Sequence, residues 1–180
     1  MTVLPIKIPG KQIDLISLNK NHFNDFCDYA RDPIFYKFLE YEAPSSKLQT
    51  EKLFEKFLKR NDRVKSFYYA INEQKLTKCI GIIGIFNFKK NNTECEVSYG
   101  LSRHYQGKGI AHKSMTMVCN CLFNENIDII KAVTPMNNKP SIKFLEGLSF
   151  KKKKVFTNKF NYNGVSVDGC EFHLSKADLF

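Results

Sequence analysis

The stretch that decides the fold is Leu101-Ser102-Arg103-His104-Tyr105-Gln106-Gly107-Lys108-Gly109-Ile110-Ala111. Before it, alternating apolar and polar residues from Glu94 to Leu101 predict a strand. After it, apolar residues recur at helical spacing over 110–122. A strand that enters a helix through a glycine-containing loop presents backbone N–H groups and the positive end of a helix dipole to one place. The stretch therefore predicts a site for a phosphate.

Spacing separates three phosphate-binding interpretations of this loop. The run over 107–114 is close to a Walker A loop, but His112 stands where the second glycine is needed, which argues against ATP or GTP. His112 also replaces the third glycine of a dinucleotide fingerprint, and the preceding strand is typical of a hairpin rather than a parallel unit. The third interpretation is Gln-Gly-x-Gly-x-Ala, whose consecutive amides hold a pyrophosphate. A glycine-rich turn without a ligand stays open beside it.

Composition predicts a single domain over residues 1–180. The chain is 43% hydrophobic, with 16 Phe and 8 Tyr, which is enough for one sizeable core, and it contains no internal repeat or linker. The net charge of +10 comes from 28 Lys and Arg against 18 Asp and Glu. It fits either a solvated surface or attraction to a polyanionic cofactor or an acidic or nucleic-acid-bound partner.

The six cysteines contain no Cys-x-x-Cys pair, so neither a zinc site nor a disulfide framework is predicted. Free buried thiols fit a reducing cytoplasm, where we expect the protein to act without a metal. Residues 1–10 lack the pattern of a secretory signal. The longest strongly apolar run, over 79–86, is too short to cross a bilayer, so no membrane partner is expected.

Pattern and turn signals predict the remaining elements. The first part of the chain is a strand over 12–18 followed by three helices, which are entered at Asn19 or Asn21, at Asp32-Pro33, and at Ser46 with Gln49 at capping-box spacing. An antiparallel meander follows, with strands over 66–72, 79–88 and 94–101. The last part has a parallel strand over 129–133, a helix over 141–148 opened by Asn138, and a hairpin of strands over 150–156 and 165–174 joined at Asn163-Gly164.

A second motif follows the parallel strand. Residues 135–150 read Pro-Met-Asn-Asn-Lys-Pro-Ser-Ile-Lys-Phe-Leu-Glu-Gly-Leu-Ser-Phe. They resemble the Asn-x-x-Ser-x-x-x-Leu-Glu-Lys-Leu-Gly-Phe segment of one branch of the GNAT superfamily, the N-acetyltransferases of ribosomal-protein N-termini that begin with alanine or serine. Gln106, Gly109 and Ala111 fill the family's Gln/Arg-x-x-Gly-x-Gly/Ala loop. The resemblance spans nearly the whole chain, and it implies an α/β (α+β) fold with a mixed, mostly antiparallel sheet, splayed at the acetyl-CoA site and with helices on both faces.

The resemblance also implies a cosubstrate and a set of site residues. Acetyl-CoA would supply the acetyl group, and a backbone amide near the end of the strand would polarise the thioester carbonyl. Ser141 is the candidate acid for the departing thiolate, and its alternative is a first-turn residue bonded to the backbone. Asn138 would orient the cofactor. The predicted cofactor-binding residues are Tyr99, Leu101, Gln106, Gly107, Lys108, Gly109, Ile110, Ala111 and Asn138.

The sequence offers one candidate for the general base. Glu96 lies close to the expected acyl site and is our candidate, although a plain solvent-facing strand glutamate is the alternative. The branch often carries Glu-Gly shortly after its Gly-Phe, where this chain has Lys153 and Lys154. Ser149, Gly147 and Lys113 are further departures from the branch. They leave the fold and cofactor expectations intact and put a ribosomal-protein substrate in doubt.

Two classes of function are therefore carried forward. The first is acetyl transfer to a primary amine, namely a protein N-terminus, with a ribosomal protein as one candidate, a polyamine or an aminoglycoside. The second is a non-catalytic module that binds CoA and a partner, which the lysine run over 151–154 favours. The protein is expected to be a monomer or a homodimer.

Overall fold

The computed structural model describes residues 4–39, 42–62, 65–89, 93–162 and 164–178. Asn163 of the predicted Asn163-Gly164 turn lies outside these ranges. Within them, one eight-stranded sheet has the order β1-β2-β3-β4-β5-β6-β8-β7. The strands are β1 Lys7–Ile8, β2 Ile13–Ser17, β3 Phe67–Glu73, β4 Lys78–Phe86, β5 Glu94–Leu101, β6 Ile129–Pro135, β7 Lys151–Tyr162 and β8 Val165–Ser175.

In the part of the chain that the structure describes, five α-helices lie on the two faces of this sheet. They are α1 Phe23–Tyr29, α2 Pro33–Tyr36, α3 Lys47–Arg60, α4 Ile110–Asn124 and α5 Lys139–Gly147. The larger buried cluster joins α4 and α5 to the sheet through residues such as Met115, Leu122 and Leu145. A smaller cluster, which includes Phe26 and Phe54, packs α1 and α3 against β3 and β4 on the opposite face. The predicted fold class is confirmed. No helix in the described ranges is long and apolar enough to cross a membrane.

The predicted caps at Asp32 and Ser46 are present, and α5 begins at Lys139, two residues before the predicted start at 141. The Asp32 carboxylate accepts a hydrogen bond from the N–H of Ile34 at 2.9 Å, as an N-cap should. Ser46 likewise accepts from the N–H of Gln49 at 3.2 Å. The Gln49 side chain, however, accepts from the N–H of Ser45 at 2.8 Å instead of reaching back to Ser46, so the capping box is only half formed.

The sheet opens between β5 and β6. These two strands are parallel, and they pair only over residues 94–96 and 129–131. Beyond that point β5 continues beside β4 as far as Leu101, and β6 continues beside β8 as far as Pro135. The other neighbouring strands that the structure describes are antiparallel. We call the space between the diverging strands the β5–β6 opening. It is the splay that the resemblance implied.

Candidate functional site

The edge of β5 that faces the β5–β6 opening carries peptide groups without a neighbouring strand. The N–H of Ser102 donates to the carbonyl of Ile80 at 2.8 Å, and the pairing of β4 with β5 keeps one register along its length. Because hydrogen bonding alternates along an antiparallel strand, the N–H groups of Val97, Tyr99 and Leu101 point away from β4. The N–H of Val97 faces β6 at the last paired rung, and those of Tyr99 and Leu101 point into the opening. Two of these amides lie in the stretch where the sequence placed the donor to the thioester.

The Gln106 side chain makes a hydrogen bond within the protein. Its side-chain nitrogen donates to the carbonyl of Leu101 at 3.0 Å. This bond ties the loop after β5 to the end of the strand from which it emerges. Binding of a ligand by Gln106 stays a prediction.

The loop and the start of α4 form a cluster of free backbone donors. Gly107 and Gly109 both have φ of +71°, the left-handed region that favours glycine. The first hydrogen bond of α4 runs from the N–H of Lys113 to the carbonyl of Gly109 at 3.0 Å. Among the residues described, none accepts a hydrogen bond from the backbone N–H groups over 107–112. These donors and the helix dipole suit an anion such as pyrophosphate.

Two side chains add detail to this loop. The ammonium of Lys108 lies 5.4 Å from the centre of the Tyr105 ring and is exposed, so it can add positive charge beside the amides. His112 is in the first turn of α4, and its ring nitrogen lies 3.3 Å from the carbonyl of Gly147. His112 therefore contacts the end of α5, and the helix has begun where a Walker A loop would still be wrapping phosphates.

Ser141 meets Tyr99 on the α5 side of the β5–β6 opening. Their hydroxyl oxygens are 2.7 Å apart, and either one can donate. The Tyr99 ring packs on Phe144, with centroids 4.4 Å apart. Burial raises the pKa of Tyr99 to about 12, against the opposing effect of its hydrogen bond to Ser141. The Tyr99 hydroxyl therefore stays protonated near neutral pH. Sequence reasoning chose Tyr99 for its backbone amide and missed this side-chain contact.

Asn138 caps α5. Its side-chain oxygen accepts from the N–H of Ser141 at 3.2 Å, which sets the position of the first turn. The Ser141 hydroxyl is thereby directed toward β5 by the cap and by Tyr99. A direct contact of Asn138 with a cofactor stays a prediction.

Glu96 lies on the other face of β5. Strand alternation puts it opposite to Tyr99, and its carboxylate accepts from the Asn87 side chain at 2.9 Å. The structure therefore does not bring Glu96 and Ser141 onto one face of the sheet. Glu96 belongs to the last rung in which β5 and β6 are paired, beside Lys131.

Phe35 of α2 covers part of β5 on the same face as Glu96. A Cβ on Gly100 would lie 2.5 Å from the Phe35 ring, so the ring rests directly on the backbone there. A second contact involves the segment after α2, where the Tyr162 hydroxyl donates to the carbonyl of Phe38 at 3.0 Å. This bond ties the segment after α2 to the end of β7. Neither contact was predicted, because no sequence spacing links these elements.

The cysteines are free thiols, as expected. Burial raises the pKa of Cys79 and of Cys95 to about 12, which keeps both unreactive at neutral pH. Within the described ranges, no group of three or more His, Cys, Asp or Glu side chains is arranged to hold a metal ion.

Comparison with known proteins gives consistent matches. Residues 12–151 match the family model described as an acetyltransferase (GNAT) domain. A Bacillus licheniformis protein described as an uncharacterised N-acetyltransferase, p20, is 25% identical over 167 residues, which are 91% of this chain and 94% of that protein.

Two solved structures share the fold. One is the ribosomal L7/L12 α-N-protein acetyltransferase RimL in complex with coenzyme A, with a TM-score of 0.83, 16% identity and coverage of 94% of this chain and 97% of that one. The other is spermidine N-acetyltransferase from Vibrio cholerae in complex with CoA and spermine, with a TM-score of 0.79, 15% identity and coverage of 94% and 98%.

Proposed function

The chain belongs to the GNAT family of acetyltransferases, and we propose that its acceptor is a primary amine that reaches the β5–β6 opening from the face opposite α5. The enzyme class is acetyltransferase, and the cosubstrate is acetyl-CoA. The observation that carries the proposal is the opening itself, because it has free strand amides along one side and free loop amides at its end.

The amides suggest how acetyl-CoA is held. The pyrophosphate would accept hydrogen bonds from the N–H groups of Gly107, Lys108, Gly109, Ile110 and Ala111, with the Lys108 ammonium nearby. The pantetheine arm would run along the free edge of β5. The N–H of Tyr99 or Leu101 would then donate to the thioester carbonyl and stabilise the oxyanion as the amine attacks.

Ser141 supplies the proton that the departing sulfur needs. Its hydroxyl lies on the α5 side of the opening. The Tyr99 hydroxyl oxygen is 2.7 Å from the Ser141 hydroxyl oxygen, so a second hydroxyl is hydrogen-bonded to the first. With the acid on this side of the sheet, the amine has the opposite side for its approach. That side carries Glu96 and the Phe35 ring, which bounds the space above Gly100.

An α-amine is the acceptor that needs the least help from the enzyme to lose its proton. Its pKa of about 7.7–8.0 leaves part of it neutral at physiological pH, whereas a lysine-like amine near 10.4 is almost fully charged. Protein N-termini, polyamines and aminoglycosides remain the candidate acceptors, and a ribosomal protein is among them. A cytoplasmic location and a monomeric or homodimeric state stay predictions.

An acceptor panel tests the proposal. The purified protein is mixed with acetyl-CoA and, in turn, with peptides beginning with alanine or serine, spermidine and an aminoglycoside, and the release of free thiol is measured. We expect thiol release that depends on one of these amines and a matching acetylated product. A protein that binds acetyl-CoA tightly but acetylates none of them would instead fit the non-catalytic module.

A further inference from the structure

A histidine and a glutamate form a close pair on the sheet beside the β5–β6 opening. The Nε2 atom of His173 lies 2.7 Å from Oε1 of Glu171, and each side chain is 21% exposed. Both belong to β8, and they are two residues apart. The chemistry described so far gives this pair no role.

Strand register puts the pair on the face from which the amine would approach. His173 is directly beside Lys131 of β6, which is beside Glu96 of β5, so the three side chains share one face. Glu171 is beside Val133, two residues beyond the last rung in which β5 and β6 are paired. The alternate residues Phe172 and Leu174 point to the other face and are buried against the cluster that includes α4 and α5.

The pair is partly covered, and each side chain keeps 21% of its surface exposed. The buried cluster of α1 and α3 is built on β3 and β4, and its members that the structure describes do not reach β6 or β8. The pair therefore keeps contact with solvent next to the opening. An amine on this face would find an imidazole and a carboxylate already hydrogen-bonded to each other.

The pair also lies close to the positions on β7 where the related branch has a glutamate and this chain does not. The branch that the sequence resembles often carries Glu-Gly there, and this chain has Lys153 and Lys154. In the structure Lys154 of β7 lies directly beside Glu171 of β8. Glu171 therefore supplies a carboxylate on β8, one strand away from the β7 position where the related branch has a glutamate, and β8 is the strand next to β6.

We propose that His173 is the general base for the acceptor amine and that Glu171 is its positioning residue. This assignment rests on the proposed function. Glu171 accepts the Nε2 proton of the imidazole, which fixes the tautomer and leaves Nδ1 free to receive a proton. The same carboxylate stabilises the imidazolium once it forms.

The acceptor ammonium first gives one proton to Nδ1 of His173 and becomes a neutral amine. Its nitrogen then forms a C–N bond with the thioester carbon and loses a second proton to solvent. The C–S bond breaks, its electron pair stays on sulfur, and sulfur takes a proton from the Ser141 hydroxyl. Solvent then removes the proton from His173 and restores the one lost by Ser141. The net change is transfer of the acetyl group and conversion of one thioester to one thiol.

The nearby lysines have other partners, so the Glu171 carboxylate keeps its contact with His173. Lys131 and Lys89 both pair with Glu94, and Lys151 pairs with Asp178. The ammonium of Lys154 lies 4.6 Å from the centre of the Phe156 ring. The charged groups that face the pair from β5, β6, β7 and the turn before β5 are Glu94, Glu96, Lys131, Lys151, Lys154 and Lys89.

The test measures kcat/KM against pH for the wild type, His173→Gln, Glu171→Gln and Glu96→Gln, with the amine that reacts best in the acceptor panel. Loss of the base should slow His173→Gln about 10²-fold near pH 7, the lower end of the range for general base catalysis. The deficit should shrink as the pH passes the pKa of the amine. Glu171→Gln should show a smaller loss, with the acid limb moved to lower pH because the imidazolium is less stabilised. Glu146→Gln, an exposed carboxylate on α5, is the matched control and should match the wild type.

A neutral acceptor separates the base from a structural role. With an alanine-initiated peptide whose amine is replaced by an aminooxy group, which is neutral through the assay range, His173→Gln should approach the wild-type rate. Equal slowing with both acceptors would mean a structural role and overturn the assignment, as would a larger loss in Glu96→Gln or in Glu171→Gln than in His173→Gln. A wild-type protein that acetylates no amine refutes the proposed function and this assignment together. An active wild type with an equally active His173→Gln refutes this assignment alone.

Discussion

The hydroxyl of Tyr99 on β5 lies 2.7 Å from the hydroxyl of Ser141 on α5, on the α5 side of the β5–β6 opening. The two residues are 42 positions apart in the chain. Asn138 caps the helix that carries Ser141, and Phe144 packs against the Tyr99 ring. The helix cap and the ring contact together hold both hydroxyls in position before any substrate arrives.

Replacement of Ser141 by alanine tests the donor itself. The lost hydrogen bond would act mainly in the transition state, so kcat should fall while the affinity for acetyl-CoA changes little. We expect a loss near 10²-fold, the lower end for acid catalysis, because a CoA thiol is a fairly good leaving group. Steady-state kinetics and titration with acetyl-CoA measure the two quantities. Ser166→Ala, an exposed serine on β8, is the control, and an unchanged kcat in Ser141→Ala across pH would remove Ser141 from the chemistry.

Replacement of Tyr99 by phenylalanine tests the second hydroxyl. The ring contact with Phe144 is kept, and only the bond to Ser141 is lost, at a net cost of about 1 kcal/mol in folding free energy. If Tyr99 positions Ser141, kcat should fall about tenfold, and this loss should vanish when Ser141 is already alanine. A double-mutant cycle in kcat measures this coupling. Strictly additive losses would show that the two hydroxyls act independently.

Replacement of Gly109 by valine tests the phosphate loop. A β-branched residue is strained at φ of +71° and would put methyl groups where the pyrophosphate must approach. Gly164 has φ of +85° and equally open space around its Cβ position, so Gly164→Val carries a similar backbone cost far from the loop. Both variants should lose about 1–2 kcal/mol of stability. Only Gly109→Val should lose acetyl-CoA affinity in a calorimetric titration. Equal affinities would place the pyrophosphate elsewhere.

Most of the fold could be predicted because its elements carry local signals. The alternation over 94–101 gave the bounds of β5, and Asp32-Pro33 marked the start of α2. Strand β1 was not predicted, since two residues, Lys7–Ile8, are too short to show a period. Strand β7 was predicted to end at 156 but runs on to Tyr162. Its register shifts between Phe156 and Phe160, and Asn158 has φ of +50°, so the alternation that identifies a strand is interrupted there.

The candidate site was predictable only in part. The glycine loop and the Asn138 cap have fixed spacings, so the sequence could place them. The contact of Tyr99 with Ser141 and the pair formed by His173 and Glu171 depend on which strands and helices become neighbours. Glu171 and His173 looked like ordinary positions of an alternating strand, and only the order β5-β6-β8 brings them beside the opening.

Buried acidic groups predict a loss of stability in alkali. Burial raises the pKa of Cys79 and of Cys95 from 9.0 to about 12, and that of Tyr99 from 10.0 to about 12. Above pH 9 the unfolded chain therefore binds fewer protons than the folded one, and the free energy of unfolding should fall as pH rises. Thermal unfolding between pH 8 and 11 measures the slope. Cys95→Val, which removes one such thiol at similar volume, should flatten it, and an unaltered slope would contradict the role of Cys95.

The most direct test of the central claim is the stabilisation of the protein by acetyl-CoA, compared with ATP plus magnesium and with NAD. The claim is that the β5–β6 opening and the loop at its end hold acetyl-CoA. A ligand at about 100 times its dissociation constant adds roughly 2.7 kcal/mol to the free energy of unfolding, which in a domain of this size raises Tm by roughly 5–10 °C. We predict that shift with acetyl-CoA, its loss in Gly109→Val, and none with the other two ligands. A shift with ATP or NAD and none with acetyl-CoA would contradict the account.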